Sequence, residues 1–361
     1  MADGIASNDP QRFRSNSPLP DSEHTTTVTP RLSILLPAKL GFDTVLAALD
    51  AWDAQTSRAL LEILILCPEH LGPNATQAAQ LKPGQIVVMT GSADLHDMRA
   101  IGICQATGEY IVLAEDHCVP DPDYAEAILT RLEEGWDGVG PALRPGIRAT
   151  SWSESSFLIG YGEWMEPVAS GPTDILCGWN GTVRTTLLRD LADELSGLMR
   201  VGAFAISRIR RQGGRFYLEN RARMRHFDPP GFGREMYLLY VVGLGFGAMR
   251  TREWSTLARW LYPLATPAIT FLHWNRAFRH FRRAGTAAGL RPTAIAAAAV
   301  LAGAWAIGEA IGAVLGIDRV TPLLWVTEVK PVTPLQIAES DALEGRHSAC
   351  SSRRLTGRAS A

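Results

Sequence analysis

The stretch 108–122 constrains the fold of this chain more than any other. It reads GEYIVLAEDHCVPDP, an apolar run followed by acids, a histidine and closely spaced prolines. The apolar run predicts a buried strand over 109–114, and the prolines prevent its continuation. We therefore expect Glu115, Asp116 and His117 at the C-terminal edge of a strand, where ligands bind in open α/β sheets. Two carboxylates and an imidazole suit a divalent cation. The alternative is an ordinary solvated polar turn, which has the same composition.

Short apolar runs and helical patterns alternate through the first part of the chain. They predict further strands over 32–37, 61–66 and 85–89, and helices over 43–57 and 96–106. Strands that alternate with helices indicate parallel pairing through right-handed crossovers. The sequence thus predicts an α/β fold with a doubly wound, mostly parallel sheet.

Composition excludes several classes of protein. The chain has 361 residues, a net charge of −2 and a sequence pI of about 6.5, so it has no electrostatic footprint for nucleic acid. Its five cysteines are an odd number without a CxxC pair. Neither a zinc knuckle nor a disulfide framework is indicated, and a reducing compartment fits best.

The 108–122 segment resembles the metal-binding strand end of family-2 glycosyltransferases with the GT-A fold, usually written G-E-[YF]-I-x-x-x-D-x-D-x-x-x-x-P. In that alignment Glu115 takes the place of the first acid and His117 that of the second, so Glu-Asp-His replaces Asp-x-Asp. The resemblance implies a GT-A catalytic domain of bacterial type. It also implies Mn²⁺ or Mg²⁺ bound by Glu115 and His117, with Asp116 among the donor-binding residues.

The resemblance continues on both sides of this segment. Residues 33–38 are similar to the family's first strand, whose end, here Pro37 and Ala38, cradles the nucleotide base. Arg99 matches an arginine that approaches the nucleotide. The acids that usually end the second strand are missing, and Glu69 is the one substitute, in a shifted position.

Two later segments also resemble the family. Residues 177–181, CGWNG, are similar to a G-x-N loop that lies against the donor sugar and diphosphate, which implicates Gly178 and Asn180. Residues 210–226 resemble a closing R-x-x-G-x-R element and a strand that ends in histidine. The resemblance makes His226 the third candidate metal ligand; otherwise it is an ordinary strand-end histidine.

The catalytic base is the sharpest departure from the family. Family members carry a Glu-Asp pair whose second acid deprotonates the acceptor, and its expected place, 201–204, reads VGAF. Asp174 is the first candidate for a replacement, because it precedes the 177–181 loop, and Glu194 is the second. Glu163, Glu166 and Asp193 are further candidates.

The last third of the chain is apolar and aromatic. The run 293–317 is almost uncharged, and 25 helical residues span roughly 37 Å, enough to cross a bilayer. Gly308, Gly312 and Gly316 recur every four residues and predict a close helix-packing seam. Glu309 should then face a partner helix or a cavity. A long helix packed on the catalytic domain is the alternative.

The predicted organisation has five parts. They are a disordered tail (1–30), a catalytic domain (31–230), an interfacial helical region (231–291), a transmembrane helix (292–318) and a largely disordered tail (319–361). If 257–274 also spanned, the basic cluster before 293 would be cytoplasmic and the catalytic domain would lie outside. A single span keeps both on the cytoplasmic face of the inner membrane, with access to nucleotide sugars.

These features predict an inverting transferase that moves a sugar from a UDP-type donor to a lipid-linked or cell-surface glycan acceptor. The main alternative is a catalytically degenerate nucleotide-sugar-binding or scaffold protein of a polysaccharide assembly system. A nucleotidyltransferase is a third possibility, but residues 37–41, PAKLG, lack the glycine-rich loop with basic side chains that it needs.

Overall fold

The computed structural model of the protein describes residues 29–146, 150–227, 231–326 and 333–342. The predicted N-terminal tail lies almost entirely outside these ranges. Within them, one sheet contains the strands β1 (Leu32–Pro37), β2 (Leu61–Cys67), β3 (Gln85–Met89), β4 (Tyr110–Leu113), β5 (Cys118–Pro120), β6 (Gly138–Pro145), β7 (Gly171–Thr173), β8 (Thr182–Arg184) and β9 (Phe216–His226).

Helices cover the sheet and form the C-terminal part. They are α1 (Leu46–Asp53), α2 (Ala75–Ala78), α3 (Leu95–Gln105), α4 (Tyr124–Leu132), α5 (Ser151–Gly160), α6 (Thr185–Arg189), α7 (Leu195–Met199), α8 (Gly202–Arg211), α9 (Phe232–Arg250), α10 (Thr256–Leu261), α11 (Thr266–His280), α12 (Thr293–Leu315) and α13 (Ile317–Val320). Residues 334–342 are also helical. Shorter turns of helix lie at Phe42–Val45, Arg58–Leu60, Glu69–Leu71, Gly162–Trp164, Ala192–Glu194, Tyr262–Ala265, Phe281–Gly285 and Thr321–Val326.

The strand order is β3-β2-β1-β4-β8-β6-β9-β5, and β7 pairs with β9. β1 runs parallel to both β2 and β4, and β2 runs parallel to β3, as the alternation of strands and helices predicts. The second half of the sheet is mixed: β8 is antiparallel to β4 and β6, whereas β6 and β9 are parallel. The protein is therefore a mixed α/β structure whose first four strands form the expected parallel unit.

The predicted helix over 43–57 is shorter in the structure. A turn at Phe42–Val45 precedes α1, which ends at Asp53. The side-chain amide of Gln55 donates to the carbonyl of Asp121 (2.8 Å) and so ties the chain to the segment after β5. The helix predicted over 96–106 closely matches α3. The Asp94 carboxylate accepts hydrogen bonds from the first backbone N–H groups of this helix and so fixes where it begins.

The predicted glycine seam lies between α12 and α9. A Cβ on Gly308 or Gly312 would come within 2.0 Å of the carbonyl oxygen of Tyr240 or Leu244, respectively. Gly243 and Gly247 on α9 approach the backbone of α12 in the same way. Close helix packing therefore requires glycine here. Gly316 is not part of the seam; it ends α12 with φ +80°.

Glu309 is buried within this helical part, as expected for an acid facing other helices. Its carboxylate accepts hydrogen bonds from Arg250, from the Tyr262 hydroxyl (2.6 Å) and from the Trp305 indole (3.1 Å). In the described part of the chain, α12 is the one helix long and apolar enough to cross a membrane, and much of it is buried against the rest of the protein. A core helix of a soluble protein has the same properties, so the predicted span stays a prediction.

Candidate metal centre and adjoining cavity

Four metal-ligating side chains meet where β4 ends and β5 pairs with β9. Glu115 and His117 follow β4, Cys118 begins β5, and His226 ends β9 directly opposite Cys118 in the antiparallel register. One ligand atom from each residue lies within 4.8 Å of all the others, and all four residues are buried. The structure thus brings together the three predicted ligands and adds Cys118.

The distances between the ligand atoms are short. The Nε2 atoms of His117 and His226 are 3.2 Å apart. The Glu115 carboxylate lies 3.7 Å from His117 Nε2 and 3.8 Å from His226 Nε2. Cys118 Sγ lies 3.3 Å from Glu115 Oε2. A single ion could therefore contact all four groups.

Neighbouring side chains hold these ligands in place. The Nδ1 atom of His117 lies 2.7 Å from an Asp116 carboxylate oxygen, which directs the lone pair of Nε2 toward the cluster when Nδ1 carries the proton. Asn180 Nδ2 donates to Glu115 Oε2 (2.5 Å), and the Tyr161 hydroxyl lies 3.2 Å from Glu115 Oε1. Asp116, predicted to bind the donor, is thus placed beside a metal ligand.

The donor set decides which ions the cluster suits. Two imidazoles, a thiol and one carboxylate fit a divalent transition metal, whereas Mg²⁺ prefers oxygen ligands. Burial, followed by the charge of Glu115, holds the pKa of the Cys118 thiol well above its usual range. The thiol therefore keeps its proton until a cation replaces it.

The predicted nucleotide-binding residues lie along one edge of the sheet. Pro37 and Ala38 are at the end of β1, and Glu69 follows β2; because these strands run parallel to β4, their ends share its edge. Arg99 is 1% exposed, and its guanidinium lies 3.7 Å above the Trp179 ring. Arg99 thus contacts the 177–181 loop through the ring of Trp179.

The 177–181 loop packs tightly against both the cluster and α8. A Cβ on Gly178 would lie 2.6 Å from the backbone nitrogen of Ala203, so this close approach requires glycine. Asn180 has a left-handed backbone (φ +61°), which asparagine tolerates better than most residues. In this conformation the side-chain amide of Asn180 donates to Glu115 Oε2 and to Cys118 Sγ.

A cavity of about 180 Å³ adjoins the metal-ligand cluster. Its polar lining includes Glu115, His117 and Arg200, and most of the rest of its lining is apolar. The apolar side chains come from α9, α12 and the turn after α13: Leu238, Leu239, Val242, Phe246, Trp305 and Leu324. The helical C-terminal part therefore forms one wall of the cavity.

Among the described residues that line this cavity, Glu115 is the sole carboxylate. Asp174 is exposed and paired with Arg210, and Glu194 is paired with Arg208 and Arg252. The remaining candidate bases are also off the cavity wall: Glu163 near His280, Glu166 near Arg223 and Arg144, and the exposed Asp193. The structure does not bring these acids to the cluster, and their predicted roles stay untested.

The segment that replaces the family's acidic pair does face the cavity. Val201, Gly202 and Ala203 line it next to Gly178. The expected place of the base therefore lines the cavity, but its side chains are apolar or absent. Sequence reasoning missed Tyr161 and Arg200, because neither lies in a motif.

Comparisons with known proteins give a likeness to solved structures and none to a family profile or a curated protein. No protein-family profile matches the sequence, and no curated protein matches it. Among solved structures, the chain is similar to the crystal structure of GalNAc-T7 with UDP, GalNAc and Mn²⁺, with 15% sequence identity and a TM-score of 0.42. The alignment covers 55% of this chain and 44% of that chain, so it spans less than half of the GalNAc-T7 chain.

Proposed function

We propose that the protein is a glycosyltransferase that moves a sugar from a nucleotide-sugar donor, of UDP type, to an acceptor hydroxyl with inversion. The observation that carries this proposal is the buried Glu115, His117 and His226 cluster at the carboxyl edge of the parallel strands. It supports the proposal because the same edge carries the predicted base-binding residues, and because the cluster opens on a cavity.

The chain's own residues have separable tasks in this proposal. Glu115, His117 and His226 hold a divalent ion, which when bound would offset the negative charge of a donor diphosphate. Asn180 and Tyr161 fix the Glu115 carboxylate, and Asp116 fixes the His117 ring. Arg200 adds a positive charge to the cavity wall.

Calorimetry with UDP tests the donor side. We expect UDP to bind wild-type protein more tightly with metal than after chelation, and the enhancement to disappear in His117→Ala. Glu253→Gln serves as a control away from the metal, because Glu253 is exposed and lies outside both the cluster and the cavity lining. Equal UDP affinity with and without metal would contradict a metal-assisted donor site.

The apolar wall supports a lipid-linked acceptor. An acceptor with a phosphate and a hydrocarbon chain matches a cavity whose lining combines Arg200 and part of the metal-ligand cluster with apolar side chains, Leu238, Leu239 and Phe246 among them. Losing one large apolar contact costs about 1.5–3 kcal/mol. Phe246→Ala should therefore raise the KM for a prenyl-phosphate acceptor about tenfold or more, with little change in donor affinity.

The matched control for that variant is Leu264→Ala. Leu264 is 78% exposed and does not line the cavity. A similar rise in KM in both variants would argue against an acceptor chain in the cavity. Water-soluble glycan acceptors that outperform prenyl phosphates would instead favour a cell-surface glycan.

Exposed apolar side chains on the helical part support attachment to the cytoplasmic face of the inner membrane. Leu257, Trp260, Leu264 and Phe271 are each more than half exposed on α10, α11 and the turn between them. Contiguous exposed apolar surface commonly marks a membrane or protein interaction site. Of the basic residues that follow, Arg276, Arg279 and Arg282 suit anionic headgroups, whereas Arg283 donates to the carbonyls of Gly162 and Met165.

The absence of a further carboxylate on the described cavity wall favours a second candidate function. In this alternative, the protein binds a nucleotide sugar without transferring it, and acts as a scaffold in polysaccharide assembly. A panel of radiolabelled nucleotide sugars separates the two: binding without transfer to any acceptor supports the scaffold.

A further inference from the structure

Cys118 is the member of the cluster that the sequence resemblance does not account for. It is 1% exposed, and its Sγ atom lies 3.3 Å from Glu115 Oε2 and 3.2 Å from Asn180 Nδ2. The amide N–H of Asn180 points at the sulfur, an arrangement that stabilises a thiolate once a metal has displaced the thiol proton. Cys118 is thus placed as a ligand and not only as a small apolar side chain.

The spacing of the four groups suits a tetrahedral ion. In a tetrahedral zinc site, bonds of about 2.0–2.3 Å put neighbouring ligand atoms roughly 3.3–3.8 Å apart. The separations here are 3.2 Å between the histidine nitrogens, 3.3 Å from sulfur to Glu115 Oε2, 3.8 Å from Glu115 Oε2 to His226 Nε2, and 3.7 Å from Glu115 Oε1 to His117 Nε2. These separations are close to that range, and one ligand atom from each of the four residues lies within 4.8 Å of all the others.

The surroundings also resemble those of a zinc site. Asp116 accepts a hydrogen bond from His117 Nδ1 in the tautomer that leaves Nε2 free for a metal, a carboxylate–histidine–metal arrangement. All four ligand residues are buried, so the protein itself excludes water from most of the coordination sphere. An octahedral Mg²⁺ or Mn²⁺ site instead relies on oxygen ligands and several waters.

We propose that Glu115, His117, Cys118 and His226 form a four-ligand tetrahedral zinc site, in place of the oxygen-rich Mn²⁺ or Mg²⁺ site implied by the family resemblance. This inference concerns the metal centre of the proposed function, but it holds whether or not sugar is transferred. Its consequence is that the protein binds the ion without a nucleotide, because its own side chains complete the coordination; a donor diphosphate would reach the ion only by displacing one of the four ligands.

Cobalt substitution tests the proposal. Full-length protein is stripped with a chelator, loaded with one equivalent of Co²⁺ and examined by absorption spectroscopy without nucleotide. We expect intense visible bands of a tetrahedral ion and a near-ultraviolet thiolate-to-cobalt charge-transfer band. Cys118→Ser should lose the charge-transfer band, whereas Cys177→Ser, a buried cysteine near the cluster but outside it, should keep it.

Zinc competition and metal analysis complete the test. One equivalent of Zn²⁺ should bleach the cobalt spectrum, and excess Mg²⁺ or Mn²⁺ should not. Weak octahedral bands without charge transfer in the wild-type protein would overturn the proposal, as would a charge-transfer band that survives in Cys118→Ser. The wild-type spectrum decides the matter even if a variant fails to fold. Weak UDP binding would count against the proposed function only.

Discussion

Replacing Gly247 with alanine tests the packing of α9 against α12. The added Cβ would lie 1.9 Å from the carbonyl oxygen of Glu309 and 2.7 Å from its carbonyl carbon. Ordinary van der Waals contact begins at 3.4 Å, so the helices must separate by roughly 3.4 − 1.9 = 1.5 Å. The neighbour is backbone, which cannot move aside as the end of a side chain can.

Two opposing effects set the size of the change. Alanine favours a helix over glycine by about 1 kcal/mol. Overpacking costs about 1–3 kcal/mol, and the upper end applies because the whole seam, including Gly243 and Gly308, would have to open. The net expectation for Gly247→Ala is a loss of about 2 kcal/mol in the free energy of unfolding.

Gly303→Ala is the matched control on α12. A Cβ there would meet no heavy atom of the described protein within 4 Å, so only the helix preference of about 1 kcal/mol remains. Thermal unfolding followed by circular dichroism, in one buffer or detergent for all variants, should give midpoints that shift in opposite directions. Equal shifts for Gly247→Ala and Gly303→Ala would refute the seam.

Three further predictions follow from the site and the helices. Asp174→Asn and Glu194→Gln test the predicted base. If one of these acids is the base, its amide variant should lower turnover by about two to four orders of magnitude at unchanged UDP affinity. A change below about twofold in both variants would place the base elsewhere. The pKa of His96 is lowered to about 4, mainly by burial. Below pH 6.5 this histidine is protonated in the unfolded chain but stays neutral in the folded protein, so the free energy of unfolding should fall by about 3 kcal/mol between pH 6.5 and 4. Urea titrations at each pH should show a smaller fall for His96→Gln. Full-length protein should resist carbonate extraction from membranes if α12 spans them, and its release by carbonate or salt would leave the packed-helix alternative.

Three of the parallel strands, β1, β2 and β4, were readable from the sequence because they are buried on both faces. Each is an almost wholly apolar run, interrupted by Ser33 in β1 and by Glu62 in β2, that ends at a proline or a polar cluster, so the run places the strand within a residue or two. Helix ends were less predictable, as at Asp53, because the chain just after it is held by a long-range contact, the hydrogen bond from the Gln55 side chain to the carbonyl of Asp121.

The metal-ligand cluster was only partly readable. His226 is 109 residues from His117, and without the family resemblance nothing local links them. Cys118 directly follows the predicted ligands, but its role depends on the register of β5 against β9, which is a long-range pairing. Tyr161 and Arg200 reach the site from separate helical segments, where no periodic pattern distinguishes them from other surface side chains.

The cavity joins the two parts of the chain that the sequence separates into a catalytic domain and a membrane-associated region. Glu115 and His117 at the sheet edge line it, and so do Phe246 on α9 and Trp305 on α12. Removing α12 would therefore take away part of the cavity and the partner of the α9 glycines, in addition to any membrane anchor. Loss of both attachment and activity in a truncated protein would therefore not distinguish a role of α12 as a membrane anchor from its role in the cavity lining. Single substitutions distinguish the two roles: Phe246→Ala should alter acceptor KM and leave membrane attachment intact, whereas Leu264→Ala should weaken attachment and leave acceptor KM unchanged.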